Sequence, residues 1–252
     1  MPGRADHKPT TCRSLGTLSP NSQIPIRTLP VVTSEVLIGH GLHRYLHRPA
    51  GGSFALCGVS LTVRRGESVA LLGRSGSGKT SLLALLTGVE EPDRGFVQVA
   101  GRPLNLHTEA ERARLRAEHI GMLYAYGNLL DHLTVGQNIV LARHLAARRG
   151  YRDLAGRLAA VGLAGRGDTF PPALSPIERS RAALAVALAN DPPLLIADEP
   201  TALLAEADAT ELLTMLRARA ERGAAVLLAT RSDRVASTCV RVLRLEGGEL
   251  RR

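Results

Sequence analysis

The sequence predicts an α/β protein, a sheet core with helices against it, interrupted by a helical insert. Three observations carry this. SVALL (Ser68 to Leu72) is an apolar run that passes through a glycine-rich stretch into SLLALLTG, an apolar pattern closed by Gly88. Strand, turn and helix in that order are the start of an α/β unit. LLIADEP (Leu194 to Pro200) and AAVLLAT (Ala224 to Thr230) read as buried strands, with a helix near Ala207 to Glu221 between them. Between these units, Leu129 to Asn190 reads as helical in LLDHLTVGQNIVLARHLAARR, YRDLAGRLAAVGL and ERSRAALAVALAN, and Pro192 and Pro193 end it.

The remaining elements follow in order. Residues 1–34 hold Pro2, Pro9, Pro20, Pro25 and Pro30 among Ser, Thr and Arg, with no periodic apolar pattern, and read as a disordered extension. Val36 to Val63 is strand-like and includes FALCGVSLTV; Gly66 then introduces the strand before the glycine loop. Phe96 to Val99 reads as a short strand and Glu109 to Glu118 as a charged helix. Residues 35–252 form one domain in this reading, with a helical subdomain at about 125–189 and no internal repeat.

Composition narrows the function classes. The chain has 252 residues, 44% of them hydrophobic, enough for one large or two small domains with a real core. No run approaches a membrane-spanning length, and MPGRADHKPTTCRSLG lacks the apolar centre of a secretory signal. Cys12, Cys57 and Cys239 are isolated and form no C-x-x-C pair, which argues for a reducing compartment and against a zinc site. The formal charge is +9 and is almost all arginine, since only Lys8 and Lys79 are lysines. The arginines alternate with acids, as in RARLRAEHI and RARAERG, and read as solvated helix faces. No basic block is interleaved with aromatics, so nucleic acid is not an expected partner.

The chemistry is in GRSGSGKT. Gly73, Arg74, Ser75, Gly76, Ser77, Gly78, Lys79 and Thr80 fit G-x-x-x-x-G-K-S/T, and Ser81 follows directly. Glycines let the backbone wrap an anion with no side chain in the way. Successive backbone N–H groups and the positive end of the following helix then point at phosphates. Lys79 adds a cation for the β- and γ-phosphates, and the Thr80 hydroxyl is a hard oxygen ligand for Mg²⁺. The second half of the site is LLIADE. A carboxylate at the end of a buried strand holds Mg²⁺ directly or through water, which is the role of Asp198. Glu199, at the point where the strand ends, is placed to orient or deprotonate an attacking water. Strand-end acids are often no more than solvated, but here they share a chain with a phosphate loop.

The sequence resembles the ATP-binding subunits of ABC transporters. The residues that carry this are VSLTVRRGESVALLGRSGSGKTSLLALLTGVEEPDRG, IGMLY and ALSPIERSRAALAVALANDPPLLIADEPT. The resemblance runs from about Val36 to the C-terminus and is nearest to the subfamily serving lipoprotein-releasing, macrolide-export and cell-division type permeases. It implies a P-loop NTPase core, that is a RecA-like mixed sheet with an antiparallel β subdomain, plus the helical insert. It implies ATP and Mg²⁺ as cofactors. The implied partners are a transmembrane permease, on which the helical insert docks, and a second ATP-binding subunit. The implied place is the cytoplasmic face of the plasma membrane. In the family two such domains sandwich two ATP molecules, each between one subunit's phosphate loop and the other's signature motif. An aromatic residue upstream of the glycine loop stacks on adenine there, and Tyr45 matches that position. A strand residue on a half-buried face is the plainer reading of Tyr45.

Five positions depart from the family pattern. Its glutamine after an IGMLY-like sequence is Ala125 here. Its Leu-Ser-Gly-Gly signature reads Leu174, Ser175, Pro176, Ile177, so Pro176 removes a backbone donor and Ile177 adds bulk. SPIE is nonetheless a good helix start, with Ser175 as N-cap, Pro176 in the first helical position and Glu178 closing a capping box. The bridging aspartate of the family is Ala205. Its histidine after the last core strand is Arg231, which reads as a solvated arginine or as a substitute γ-phosphate clamp. The expected result is an ATP-binding subunit that binds Mg-ATP and turns it over slowly. The alternatives are a non-hydrolysing regulatory subunit paired with an intact ATPase, and a soluble ABC-type ATPase. The last ranks lowest, because such proteins carry two domains or a long coiled-coil insert.

Overall fold

The computed structural model describes residues 34–46, 53–148 and 153–251. The extension expected at 1–34 lies outside them except for Ser34. The elements, in order, are β1 (Glu35–Leu46), β2 (Ser53–Arg64), β3 (Ser68–Leu72), α1 (Lys79–Leu86), β4 (Arg94–Val99), β5 (Arg102–Pro103), α2 (Glu109–His119) and β6 (Ile120–Tyr124). They continue with α3 (Val135–Leu145), α4 (Leu154–Ala160), a 3-10 turn (Pro171–Ala173), α5 (Pro176–Ala187), β7 (Leu194–Asp198), α6 (Glu206–Glu221), β8 (Ala225–Thr230), α7 (Asp233–Ala236), β9 (Arg241–Glu246) and β10 (Glu249–Arg251).

Two sheets result. One is antiparallel with strand order β2-β1-β4-β5. The other runs β10-β9-β3-β8-β7-β6 and is parallel except for the β9–β10 hairpin. This is the expected α/β core, a mixed sheet with an antiparallel subdomain. β3 and β8 are buried along their whole length and β7 along all but its last residue, so their sequences are continuous apolar runs. One core cluster fills the space between the sheets and α1 with Leu37, Leu42, Leu56, Leu71, Leu82 and Leu86. A second packs the helical segment on the opposite face through Ile139, Leu163, Leu184, Leu212 and Leu228. The parallel strands all end on one edge, where an open α/β sheet offers its crevice to ligands.

Two expectations change. Leu129 to Thr134 is not helical. Thr134 is the N-cap of α3 and closes a capping box with Gln137. The buried Asn138 side chain then holds the preceding loop, donating to the carbonyls of Leu130, Leu133 and Thr134 at 3.1, 3.1 and 2.9 Å and accepting from Leu130 N–H at 2.8 Å. The β9–β10 hairpin was not expected, although Gly247 and Gly248, both at positive φ, supply the turn it needs.

Candidate functional site

The glycine loop sits between the C-terminal end of β3 and the first turn of α1, and each glycine has a physical reason. A Cβ on Gly73 would lie 2.5 Å from Ser77 Oγ and 2.6 Å from the Leu245 carbonyl oxygen. Gly78, at φ +105, would place its Cβ 2.8 Å from the Ala55 carbonyl oxygen. Gly76 has φ +78 but opens onto free space, so it is there for its conformation and not for lack of room.

The helix start is unusual as well. α2, α3 and α5 begin with complete capping boxes, whereas α1 has Gly78 as N-cap and no side-chain cap. Its first-turn N–H groups are therefore offered outward, the arrangement that receives an anion. Ser77 Oγ is buried and has no hydrogen-bond partner among the described residues. Lys79 is 7% exposed and donates from Nζ to the carbonyls of Gly73 at 2.6 Å and Arg74 at 3.2 Å. Arg74, Ser75 and Thr80 are exposed and Ser81 is half-buried. A cradle closed to Cβ atoms, an orphaned hydroxyl and a buried ammonium fit a polyphosphate. The exposed Thr80 hydroxyl and the Asp198 carboxylate supply hard oxygen donors suited to Mg²⁺.

Asp198 ends β7, and Glu199 is the first residue beyond it, in a left-handed conformation at φ +48. Its backbone N–H still reaches the Ala229 carbonyl at 2.9 Å. Burial raises the Asp198 carboxyl above its ordinary range; Glu199 adds to this and Lys79 opposes it. Burial likewise lowers Lys79, while Glu199 and Asp198 pull it up and Arg231 pushes it down. Lys79, Asp198, Glu199 and Arg231 therefore sense one another at one end of the sheet.

Arg231, the first residue after β8, is not simply solvated. Its Nε lies 3.3 Å from Glu199 Oε1. Glu199 Oε2 accepts from Thr230 Oγ1, also at 3.3 Å. Tyr45 is half-buried in β1, where it pairs with Phe54, the neighbour of the Ala55 carbonyl that packs on Gly78. Its N–H donates to Asp93 Oδ2 at 2.6 Å.

The other departing positions are spread out. Ala125 is in the turn after β6, which Asn128 closes by accepting from Tyr124 N–H at 2.8 Å and donating to its carbonyl at 2.7 Å. Ser175 caps α5: Glu178 N–H reaches its Oγ at 3.4 Å, and its own N–H reaches Glu178 Oε2 at 2.9 Å. Pro176 is exposed, and Ile177 is half-buried against the helical core. Ala205 is the exposed N-cap of α6 and offers no cap. Two features of the site escaped the sequence reading. They are the orphaned Ser77 hydroxyl and the Glu199–Arg231 pair, neither of which leaves a mark in residue spacing.

Strand, phosphate-type loop and helix, with two acids at the end of a neighbouring parallel strand, define a P-loop nucleotide-binding protein. The sequence profile of the family described as "ABC transporter" matches residues 56–202. The lipoprotein-releasing system ATP-binding protein LolD of Gluconobacter oxydans is 41% identical over 202 residues, 77% of this chain and 86% of that protein. The macrolide export ATP-binding/permease protein MacB of Chlorobium phaeobacteroides is 36% identical over 77% of this chain but only 30% of its own length. Among solved structures, the dimeric ATP-binding cassette MJ0796 in a post-hydrolysis state with ADP and Pi superposes with a TM-score of 0.77 at 27% identity, covering 86% of this chain and 97% of that one. The chain belongs to the ABC transporter family, as an ATP-binding subunit of the LolD- and MacB-like kind that couples ATP hydrolysis to transport. Among the described residues, no helix is long and apolar enough to cross a membrane.

Proposed function

We propose that Gly73 to Ser81 hold the phosphates of Mg-ATP, that Thr80 and Asp198 hold the metal, and that Glu199 orients the attacking water with Lys79 on the β- and γ-phosphates. Tyr45 stacks on the adenine. The observation that supports this best is the phosphate cradle: two glycines whose Cβ atoms would strike neighbouring atoms, the buried Ser77 hydroxyl without a partner, and Lys79 bonded only to loop carbonyls. Mg²⁺ would neutralise charge on the β- and γ-phosphates. The residues around it position the phosphates and exclude side chains that would collide with them. Residues 35–252 act as one ATP-binding domain with a helical subdomain at about 125–189. The chain works peripherally on the inner face of the plasma membrane, against a separate permease and a second ATP-binding subunit. Equilibrium binding tests the site: Lys79→Ala should abolish Mg-ATP binding, and unchanged affinity would show that the site is misassigned.

In this reading hydrolysis is slow, because Ala125, Pro176, Ile177, Ala205 and Arg231 stand where the family senses or completes the site. Loss of one transition-state donor typically costs about 10²–10³ in rate. A second reading, a non-hydrolysing regulatory subunit paired with an intact ATPase, is favoured by Pro176, which offers no backbone N–H at the first position of α5. Turnover by the purified protein that disappears in Glu199→Gln would exclude that second reading.

A further inference from the structure

Thr230, the last residue of β8, touches both halves of the site. Its carbonyl accepts from the N–H of Gly73, the first residue of the phosphate loop, at 3.1 Å. Its hydroxyl reaches the residue that follows Asp198 on the neighbouring strand, where Oγ1 donates to Glu199 Oε2 at 3.3 Å. The same oxygen accepts from Ser232 N–H at 3.1 Å. A hydroxyl has one proton. With Ser232 on its acceptor side, that proton is left to point at the carboxylate. The Glu199 backbone is already tied, its N–H to the Ala229 carbonyl at 2.9 Å and its carbonyl to Ala202 N–H at 3.0 Å, at a strained φ of +48. What remains free is the side chain. The nearby charges attract it without fixing it. Lys79 donates to loop carbonyls, Arg231 Nε is 3.3 Å from Oε1 but sits on a side chain that is 61% exposed, and Arg234 lines the same cleft but pairs with Glu206 at 3.5 Å. Thr230 is 1% exposed, stands on an inner strand of the sheet, and is β-branched and so stiff at χ1. Among the described residues, Oε2 accepts a hydrogen bond from Thr230 and Oε1 accepts none.

We infer that Thr230 is the positioning residue for Glu199: its hydroxyl holds Oε2 and leaves Oε1 as the oxygen that meets the attacking water. This rests on Glu199 acting on that water, as proposed above. Because the same residue receives the Gly73 N–H, it also sets the carboxylate in register with the phosphate loop. Thr230 acts through Glu199, so its hydroxyl bears on turnover and not on nucleotide affinity.

Single-turnover hydrolysis and equilibrium binding of Mg-ATP, both measured on the full chain, test this. Thr230→Val keeps the branched shape and removes the hydroxyl. It should lower the hydrolysis rate about ten- to a hundredfold, the range for a lost hydrogen bond to a charged group, and leave the Kd for Mg-ATP unchanged. Thr230→Ser restores the hydroxyl and should recover most of the rate. If packing were the whole role, serine, which lacks the methyl group, would be the slower of the two, and that order overturns the assignment. Thr230→Ala against Thr230→Ser repeats the comparison with the methyl absent from both, and carries the test if the valine variant does not fold. In a Glu199→Gln background Thr230→Val should have no further effect; a second drop of the same size means that the hydroxyl acts independently of Glu199, which also overturns it. Glu199→Gln separates the two levels. If it abolishes turnover while Thr230→Val leaves the rate alone, Thr230 has no such role and the Glu199 reading stands. If the parent shows no turnover, or Glu199→Gln does not reduce it, both fall together.

Discussion

Replacing Pro176 and Ile177 together by glycine tests how this chain uses its LSPIE segment. Pro176 fits the first helical position of α5, and changing it to glycine enlarges the unfolded ensemble at a cost of about 0.4–1 kcal/mol. Glycine for Ile177 costs about 0.5 kcal/mol in helix propensity. It also removes a half-buried side chain, about half of the roughly 1.5–3 kcal/mol that full burial contributes. Together these predict a loss of about 2–3 kcal/mol. For a chain of this size that is a fall in Tm of roughly 4–12 °C. The opposite effect is expected on chemistry. Two backbone amides without side chains become available to a phosphate on a facing copy, so ATP turnover at high protein concentration should rise at least about tenfold. Thermal unfolding and a phosphate-release assay on the same preparation measure both. A variant that binds Mg-ATP and turns over no faster than the parent would refute the assignment of this segment to phosphate contact. A variant as stable as the parent would refute the packing argument.

Other predictions follow from single contacts. Ala205→Asp supplies the cap that α6 lacks and should raise stability by about 1 kcal/mol, read as a higher urea midpoint at constant slope. Gly121→Ala places a Cβ 2.5 Å from the Ala187 carbonyl oxygen and 3.1 Å from Leu195, so β6 and α5 must separate; the expected cost is about 1–3 kcal/mol in the same assay. Burial acts to raise the Glu67 carboxyl, but hydrogen bonds from Arg241 and Arg64 outweigh it and hold the group below its ordinary range. The folded state thus favours the charged form. The stabilisation is full above the unfolded carboxyl's range, near 4.3, and is lost as pH falls through the lower folded value. Glu67→Gln should therefore cost about 1 kcal/mol at pH 7, with the gap to the parent closing in acid.

The parts legible in sequence were those whose physics is local. SVALL and AVLLAT are buried on both faces, and a run of apolar residues records that directly. SPIE carried its helix start in residue order alone, and the structure has the complete capping box. IGMLY entered only as one of the segments that carry the family resemblance, with no strand assigned to it. Gly121 lowers strand propensity, and its reason is the close approach of the Ala187 carbonyl, a contact 66 positions away in the chain that no local pattern encodes. Leu129 to Thr134 misled for the converse reason. Its apolar residues suit a helix, but the Asn138 side chain takes the backbone groups that a helix would have used. In the site, the glycine loop and the two strand-end acids were readable, while the pairing of Arg231 with Glu199 depends on β7 and β8 lying side by side.

The uncapped start of α1 makes the fold a sensor of its surroundings. Where α2, α3 and α5 close their first turn internally, this one leaves the closing group to be supplied from solution. Any anion that docks there binds the folded chain and not the unfolded one. It therefore shifts the folding equilibrium by mass action, by about 2.7 kcal/mol at a hundredfold excess over its Kd. The melting temperature of this protein should then track nucleotide concentration, giving a readout of occupancy that needs no turnover.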